Sequence, residues 1–238
     1  MNATTSRRRL VAIACAVTMF SACDSLPGRP KPTDIPLRPS AINDFSQLYT
    51  GNCAGCHGVD GKFGAAIALS NPVYLAIAND ASIRRAVAHG VRGTAMPPFA
   101  LSDGGSLTDK QIDLVINSMR KGWAGAPNVA EGAPPYASTQ AGDSNRGAQV
   151  YIANCQSCHG ADGKGGAAAG SIVDASYLAL VSDQYLRTIV IAGRPDLHHP
   201  DWKEYPSGQP LSSAQVSDVV AWLVSKRPPI PASVAQSN

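Results

Sequence analysis

The chain has 238 residues, 44% hydrophobic and 16% charged, enough to bury the cores of one large or two small domains. Its formal charge of +3 comes entirely from Arg7, Arg8 and Arg9. Beyond residue 22 basic and acidic side chains balance, which excludes a basic nucleic-acid surface and argues against electrostatic membrane attraction.

Arg7 to Arg9 and the apolar run from Leu10 to Phe20 form an export signal, too short to persist as a bilayer-spanning helix. Phe20-Ser21-Ala22-Cys23 resembles a bacterial lipobox, with Phe where Leu is usual. The resemblance implies removal of residues 1–22 and lipidation of Cys23. Ordinary cleavage nearby, leaving Cys23 incidental, is the alternative. Residues 23–40 hold Pro27, Pro30, Pro32, Pro36 and Pro39 and cannot form a helix interior. They are expected to act as an extended tether, reaching on the order of 50 Å at about 3.1 Å per residue.

Two internal repeats follow, 41–123 and 143–227, joined by an Ala/Gly/Pro-rich linker at 124–142 and followed by a tail at 228–238. Gln47-Leu48-Tyr49 matches Gln149-Val150-Tyr151, Asp60-Gly61-Lys62 matches Asp162-Gly163-Lys164, and Tyr74-Leu75 matches Tyr177-Leu178. The offset drifts only from 102 to 104. Each repeat predicts a helical outline. A first helix starts near Asn43-Asp44 or Asp143-Ser144, and a glycine-rich loop follows. A short helix covers Ser82 to Ala88, or Asp183 to Ala192. A last helix carries the stripe Ile112, Val115, Ile116 and Met119, or Val216, Val219, Val220 and Leu223. No segment reads as a strand.

Cys53-Ala54-Gly55-Cys56-His57 and Cys155-Gln156-Ser157-Cys158-His159 both read C-x-x-C-H, the attachment box of a c-type haem. The two cysteines of each box can add to the two vinyl groups of one haem, and His57 or His159 can then ligate the iron from one face. A single box is compatible with a redox or zinc pair. Two boxes in similar surroundings point to two covalently bound haem c groups. Cys15 lies in the leader and Cys23 is assigned to lipid, so no cysteine is left for a disulfide.

Over both repeats the chain resembles the class I cytochrome c family. The resemblance implies an all-α fold of two tandem class I cytochrome c domains, each wrapped around one covalent haem. It also implies a close crossing of first and last helices, with a small residue against an aromatic one. Gly147 and Trp222 fit that pattern, and the aligned Phe45 and Ser118 look exchanged in size. Gly93-Thr94-Ala95-Met96-Pro97-Pro98-Phe99 resembles the family's Met-Pro loop, which makes Met96 the sixth ligand of the first iron. Met119 sits in the apolar stripe and reads as core. Repeat two has no methionine. Aligning Gly193 with Gly90 and Pro200 with Pro97 puts His199 opposite Met96 and Trp202 opposite Phe99. Ligation of the second iron by His159 and His199 is therefore expected, with His198 as the alternative to His199 and an open sixth site as the other outcome. His89 reads as a helix-end residue. Arg84 and Arg187 recur at matching places, either to pair with propionates or to stay solvated.

Two six-coordinate haems leave no place for a substrate, so electron transfer rather than catalysis is expected. The two-domain di-haem cytochromes of the c4 type are similar, as are cytochrome subunits of respiratory complexes, although the c4 type has methionine at both sixth positions. The expected partners are membrane or periplasmic redox proteins on the outer side of the cytoplasmic membrane. A lipid anchor is expected, with no nucleic acid and no small-molecule substrate. Thioether ligation raises a haem potential relative to imidazole, so electrons are expected to run from the C-terminal haem to the N-terminal one. The alternative function is a haem enzyme, a di-haem peroxidase or small-molecule reductase, with an open site on the second haem and His198-His199 supplying acid/base chemistry. A haem-based sensor is a third reading, for which no output domain is visible.

Overall fold

The same order of five helices occurs twice, and side-chain caps fix where most of them begin. In the first half these are α1 (Phe45–Asn52), α2 (Ala54–His57), α3 (Pro72–Ile77), α4 (Asp80–His89) and α5 (Asp109–Trp123). In the second half they are α6 (Ser144–Asn154), α7 (Gln156–His159), α8 (Ala175–Leu180), α9 (Asp183–Ala192) and α10 (Ser213–Val224). The computed structural model describes residue 31 and residues 36–228. The export signal, Cys23, most of the tether and all but the first residue of the tail lie outside the described residues. Pro39–Ala41 forms a single 3-10 turn in a separate unit that ends at Ala41, and the chain from Ile42 onward is one unit.

Asp44 caps α1 and Asp143 caps α6 through backbone N–H groups of the first turn. The last helix of each half opens with a reciprocal capping box, Thr108 with Gln111 and Ser212 with Gln215. Each such cap contributes about 1 kcal/mol by satisfying donors that the helix itself leaves free. Among the described residues the regular structure is all helical. The only β-type pairing among them is three isolated bridges. No described helix is long and apolar enough to cross a membrane.

The predicted stripes of the last helices face the core, with Ile112 and Val216 completely buried. The two helix crossings are filled differently. A Cβ on Gly147 would stand 2.0 Å from the Asp218 carbonyl oxygen and 2.8 Å from Trp222 Cβ, so α6 and α10 touch through backbone. Tyr151 then stacks on Trp222 with ring centroids 4.1 Å apart. In the first half Phe45 and Tyr49 of α1 pack on Trp123 of α5, at 5.6 and 5.2 Å. The aromatic partner of Phe45 is thus supplied one helical turn beyond Met119, and the exchange does not run through Ser118 alone.

A repeated arginine ties the last helix of each half to the middle of that half. Arg120 donates to the Leu75 and Ala78 carbonyls and pairs with Asp80. Arg227 donates to the Leu178 and Val181 carbonyls at 3.0 and 2.8 Å and pairs with Asp183. Both satisfy carbonyls that a short helix cannot satisfy within itself.

The stretch 124–142 is more than a spacer. Val129, Ala130, Ala133 and Tyr136 pack against the core. The Pro135 carbonyl accepts from Arg187 Nη2 at 2.9 Å, and the Tyr136 carbonyl accepts from Gln184 at 2.9 Å and from Arg187 Nε at 3.0 Å. Arg187 is 3% exposed and also donates to Ser213 and Ser217. Arg84 pairs with Asp109 and Asp113. The two recurring arginines therefore have protein partners, one in an ion-pair cluster and one in a cage of carbonyls and hydroxyls. Arg187 is thereby withdrawn from solvent, whereas the Arg84 side chain stays about one-third exposed.

Candidate haem sites

Each attachment box is a single helical turn that begins where the preceding helix stops. Cys53 N–H closes α1 on the Tyr49 carbonyl at 2.8 Å, and His57 N–H returns to the Cys53 carbonyl at 3.0 Å. Cys155 closes α6 on Tyr151 at 2.8 Å, and His159 returns to Cys155 at 3.0 Å. One turn thus presents two thiols and an imidazole together, twice, with matching hydrogen bonds. Tyr49 Oη donates to the Gly58 carbonyl at 2.9 Å and Tyr151 Oη to that of Gly160, bracing the turn in both halves. The matched Gln-x-Tyr triplets were the sequence signal for these braces.

None of the four box cysteines is paired in a disulfide. Burial, with a smaller contribution from the second cysteine of each box, pushes Cys53 up to about 11 and Cys155 up to about 12. A redox-active cysteine needs the opposite, a thiolate stabilised near neutral pH. Among the described residues no group of three or more His, Cys, Asp or Glu side chains is arranged to hold a metal ion by itself. A haem iron asks less of the protein: one or two axial ligands, since the macrocycle fills the plane.

The proximal rings are oriented by loop carbonyls. His57 Nδ1 lies 2.8 Å from the Ile67 carbonyl, and His159 Nδ1 lies 3.0 Å from that of Gly170. A carbonyl at Nδ1 selects the tautomer that leaves the Nε2 lone pair for a metal. Burial lowers the His57 pKa and favours its neutral form.

The sixth-position loops share a register. Gly90 ends α4 at φ +68°, and a Cβ there would meet the Met96 oxygen and the Pro97 carbonyl carbon, both at 2.7 Å. Gly193 ends α9 at φ +65°, and a Cβ there would meet the His199 oxygen at 2.8 Å and the Pro200 carbonyl carbon at 2.7 Å. Val91 N–H donates to the Met96 carbonyl at 3.0 Å, and Arg194 N–H to the His199 carbonyl at 3.1 Å. The backbone that carries Met96 in one half carries His199 in the other. The Trp202 carbonyl accepts from Leu211 just as that of Phe99 accepts from Leu107, each at 2.8 Å.

Met96 is half-buried, its N–H held by Thr94 Oγ1 at 3.1 Å, and Met119 is deep in the core. His199 faces His159 across a ring-centroid gap of 6.1 Å. That gap accommodates one metal atom between ring nitrogens at about 2 Å each. His199 Nδ1 is buried and has no hydrogen-bond partner among the described residues. Burial, and then the neighbouring His159, lower the His199 pKa to about 4, which leaves a neutral ring with a lone pair to donate. His198 is exposed, at φ +60°, and His89 is exposed and bound to Asp103 at 2.5 Å. The donor set at the second box fits a haem iron, and the first box offers the same turn of two thiols and an imidazole. One residue that sequence reasoning missed is Asn71. Its Oδ1 caps α3 while its Nδ2 donates to the Ala192 carbonyl at 2.7 Å, joining the halves. A lone Asn before a Pro carries no signal for that second bond.

Residues 144–226 match the cytochrome c family, and residues 40–117 match the family described as cytochrome c oxidase, cbb3-type, subunit III. The cbb3-type cytochrome c oxidase subunit FixP of Sinorhizobium medicae (strain WSM419) is 31% identical over 156 residues, covering 60% of this chain and 47% of that protein. Subunit CcoP of Azospirillum sp. (strain B510) is 32% identical over 136 residues, covering 51% and 40%. Subunit FixPc of Rhizobium leguminosarum bv. viciae is 29% identical over 158 residues, covering 61% and 49%. The chain spans about half the length of these relatives or less. With one attachment box inside each matched stretch, the chain belongs to the class I c-type cytochromes as a di-haem member homologous to the cbb3-oxidase subunits FixP and CcoP, and it carries two covalently bound haem c groups.

Proposed function

We propose that this chain is an electron carrier of a respiratory, cbb3-oxidase-like complex, working on the outer side of the cytoplasmic membrane. In this reading residues 41–123 and 143–227 are tandem class I cytochrome c domains. Cys53 and Cys56 hold the first haem and Cys155 and Cys158 the second. His57 and Met96 are the axial ligands of the first iron, and His159 and His199 those of the second. Residues 1–22 are a removed export signal, and a lipid on Cys23 holds the tethered domains at the membrane beside their redox partners.

The observation that carries the reading is the facing pair His159 and His199, on the same loop register that presents Met96 in the first half. A pair of protein ligands on one axis leaves no position for a substrate, which favours a carrier over a peroxidase or reductase. When bound, each haem supplies one iron that exchanges a single electron. The Ile67 and Gly170 carbonyls hold His57 and His159 in the metal-binding tautomer. The Met96 thioether favours the reduced state, and the His199 imidazole favours the oxidised state more. The residues thus set a downhill direction from the C-terminal site to the N-terminal site.

A redox titration of Met96→Ala, followed at wavelengths that resolve the two haems, tests the assignment. The higher-potential step is expected to fall while the lower step keeps its place. Movement of the lower step instead would defeat it. A high-spin ferric band, or rapid carbon monoxide binding, in the unaltered protein would defeat the carrier reading itself. Mass spectrometry of the membrane-extracted protein checks the lipid on Cys23.

A further inference from the structure

The loop that presents His199 is fastened to the loop that orients His57, and one side chain makes the joint. Arg194 is only 6% exposed. Its backbone N–H donates to the His199 carbonyl at 3.1 Å, and the His199 N–H donates back to the Arg194 carbonyl at 3.0 Å. Its guanidinium crosses into the first half, where Nη1 donates to the Ala66 carbonyl at 2.9 Å and Nη2 to the Gly64 carbonyl at 3.0 Å. Ala66 N–H is itself bound to the Cys56 carbonyl at 2.9 Å, and the next carbonyl, that of Ile67, holds His57 Nδ1. One residue step therefore separates the Arg194 bond from the bond that orients His57.

Asp196 completes the joint. It accepts from Arg194 Nε at 2.9 Å and Nη2 at 2.8 Å, and from the Phe63 N–H at 2.7 Å. A buried ion pair is weak evidence for stability, because an apolar pair of similar volume often holds a seam as well. What a guanidinium alone offers is a planar fork of five donors that can serve two carbonyls and a carboxylate at once. In the first half Val91 takes the place of Arg194, repeats its backbone bond to the sixth-position residue, and has no side-chain donor. The joint is thus not a requirement of the fold.

Resting on the ligand assignment above, we propose that Arg194 is a positioning residue shared by the two haem sites. It holds His199 through its backbone and His57 through the Ala66–Ile67 segment, so that a change at either axial ligand is felt at the other. Such coupling is reciprocal by thermodynamic necessity.

The test uses the full chain with both haems attached. Arg194→Ala and Arg194→Lys are compared with the double variant Arg194→Ala/Asp196→Ala, which removes the pair without changing net charge. Haem stoichiometry by mass spectrometry selects variants that fold and load two haems. The readouts are the two midpoint potentials and the two low-spin ferric electron paramagnetic resonance signals. The expected result is a shift of both potentials and both signals in Arg194→Ala and in the double variant, with Arg194→Lys, which keeps the charge but not the fork, shifted in the same sense. An unchanged first-site signal and potential in Arg194→Ala would overturn the proposal, as would return of both sites to normal in the double variant, since charge rather than geometry would then explain the effect. Asn71→Asp, which keeps the α3 cap but loses the donor to Ala192, controls for a loosened seam. An equal shift there would also overturn it. Separately, a second-site low-spin signal that survives in His199→Gly would defeat the ligand assignment, whatever Arg194→Ala does to the first site.

Discussion

The two halves agree in backbone where the haem attaches and differ in side chains at the helix crossing and at the matched loop position. Hydrogen bonds through the two boxes match, and Gly90 and Gly193 support the same peptide in each sixth-position loop. Yet the helix crossing is filled by Phe45, Tyr49 and Trp123 in the first half and is closed backbone to backbone at Gly147 in the second. The residue at the matched loop position is Met96 in one and His199 in the other. Attachment and loop register are therefore properties of the module, whereas packing and the sixth-position donor are free to diverge.

The contrast can be broken most forcefully at the crossing. Gly147→Val is expected to cost about 3 kcal/mol, the upper end of overpacking, because its Cβ meets the Asp218 backbone rather than a movable side chain. Thermal melts should show the second haem's absorbance band shift first. His199→Met should erase the contrast in donors. It is expected to raise the lower midpoint potential toward the upper one, by a tenth or more of the about 0.8 V over which axial ligands move haem iron, as read by redox titration. Acid should separate the halves more gently. Arg146 holds the Asp218 carboxyl below the ordinary carboxylate range. The stability from that shift is complete above the unfolded value of about 4 and fades as pH falls through the lower folded value. Acid unfolding followed at the second haem should therefore become shallower in Asp218→Asn. The smallest effect belongs to Phe63, which sits at φ +62° where the second half has Gly165 at φ +112°. Phe63 is 65% exposed, so Phe63→Gly should gain up to about 1 kcal/mol by removing a left-handed aromatic residue, measured as a small rise in melting temperature.

The boxes, the last-helix stripes and the alignment of His199 with Met96 were legible because each rests on local spacing. Helix α3 and its counterpart α8 were not, although Tyr74-Leu75 and Tyr177-Leu178 had been matched. Six residues hold too few turns to show a period. Arg120 and Arg227 perform the same task from positions 107 apart, outside the 102 to 104 offset, so column-by-column matching misses them. The stretch 124–142 reads as a linker by composition, and only Gln184 and the buried Arg187, distant in sequence, reveal that its carbonyls are held. Arg194 likewise looks like one more surface arginine until the Gly64–Ala66 backbone is beside it.

Gly90 and Gly193 touch backbone atoms of the peptides above them. The loop is therefore indifferent to which side chain it displays, and methionine and histidine ride on it equally well. Such a scaffold is evolvable in a specific sense. Gene duplication supplies two identical modules, and on the ligand assignment proposed above a single codon change can then turn equal voltages into a step without renegotiating the fold.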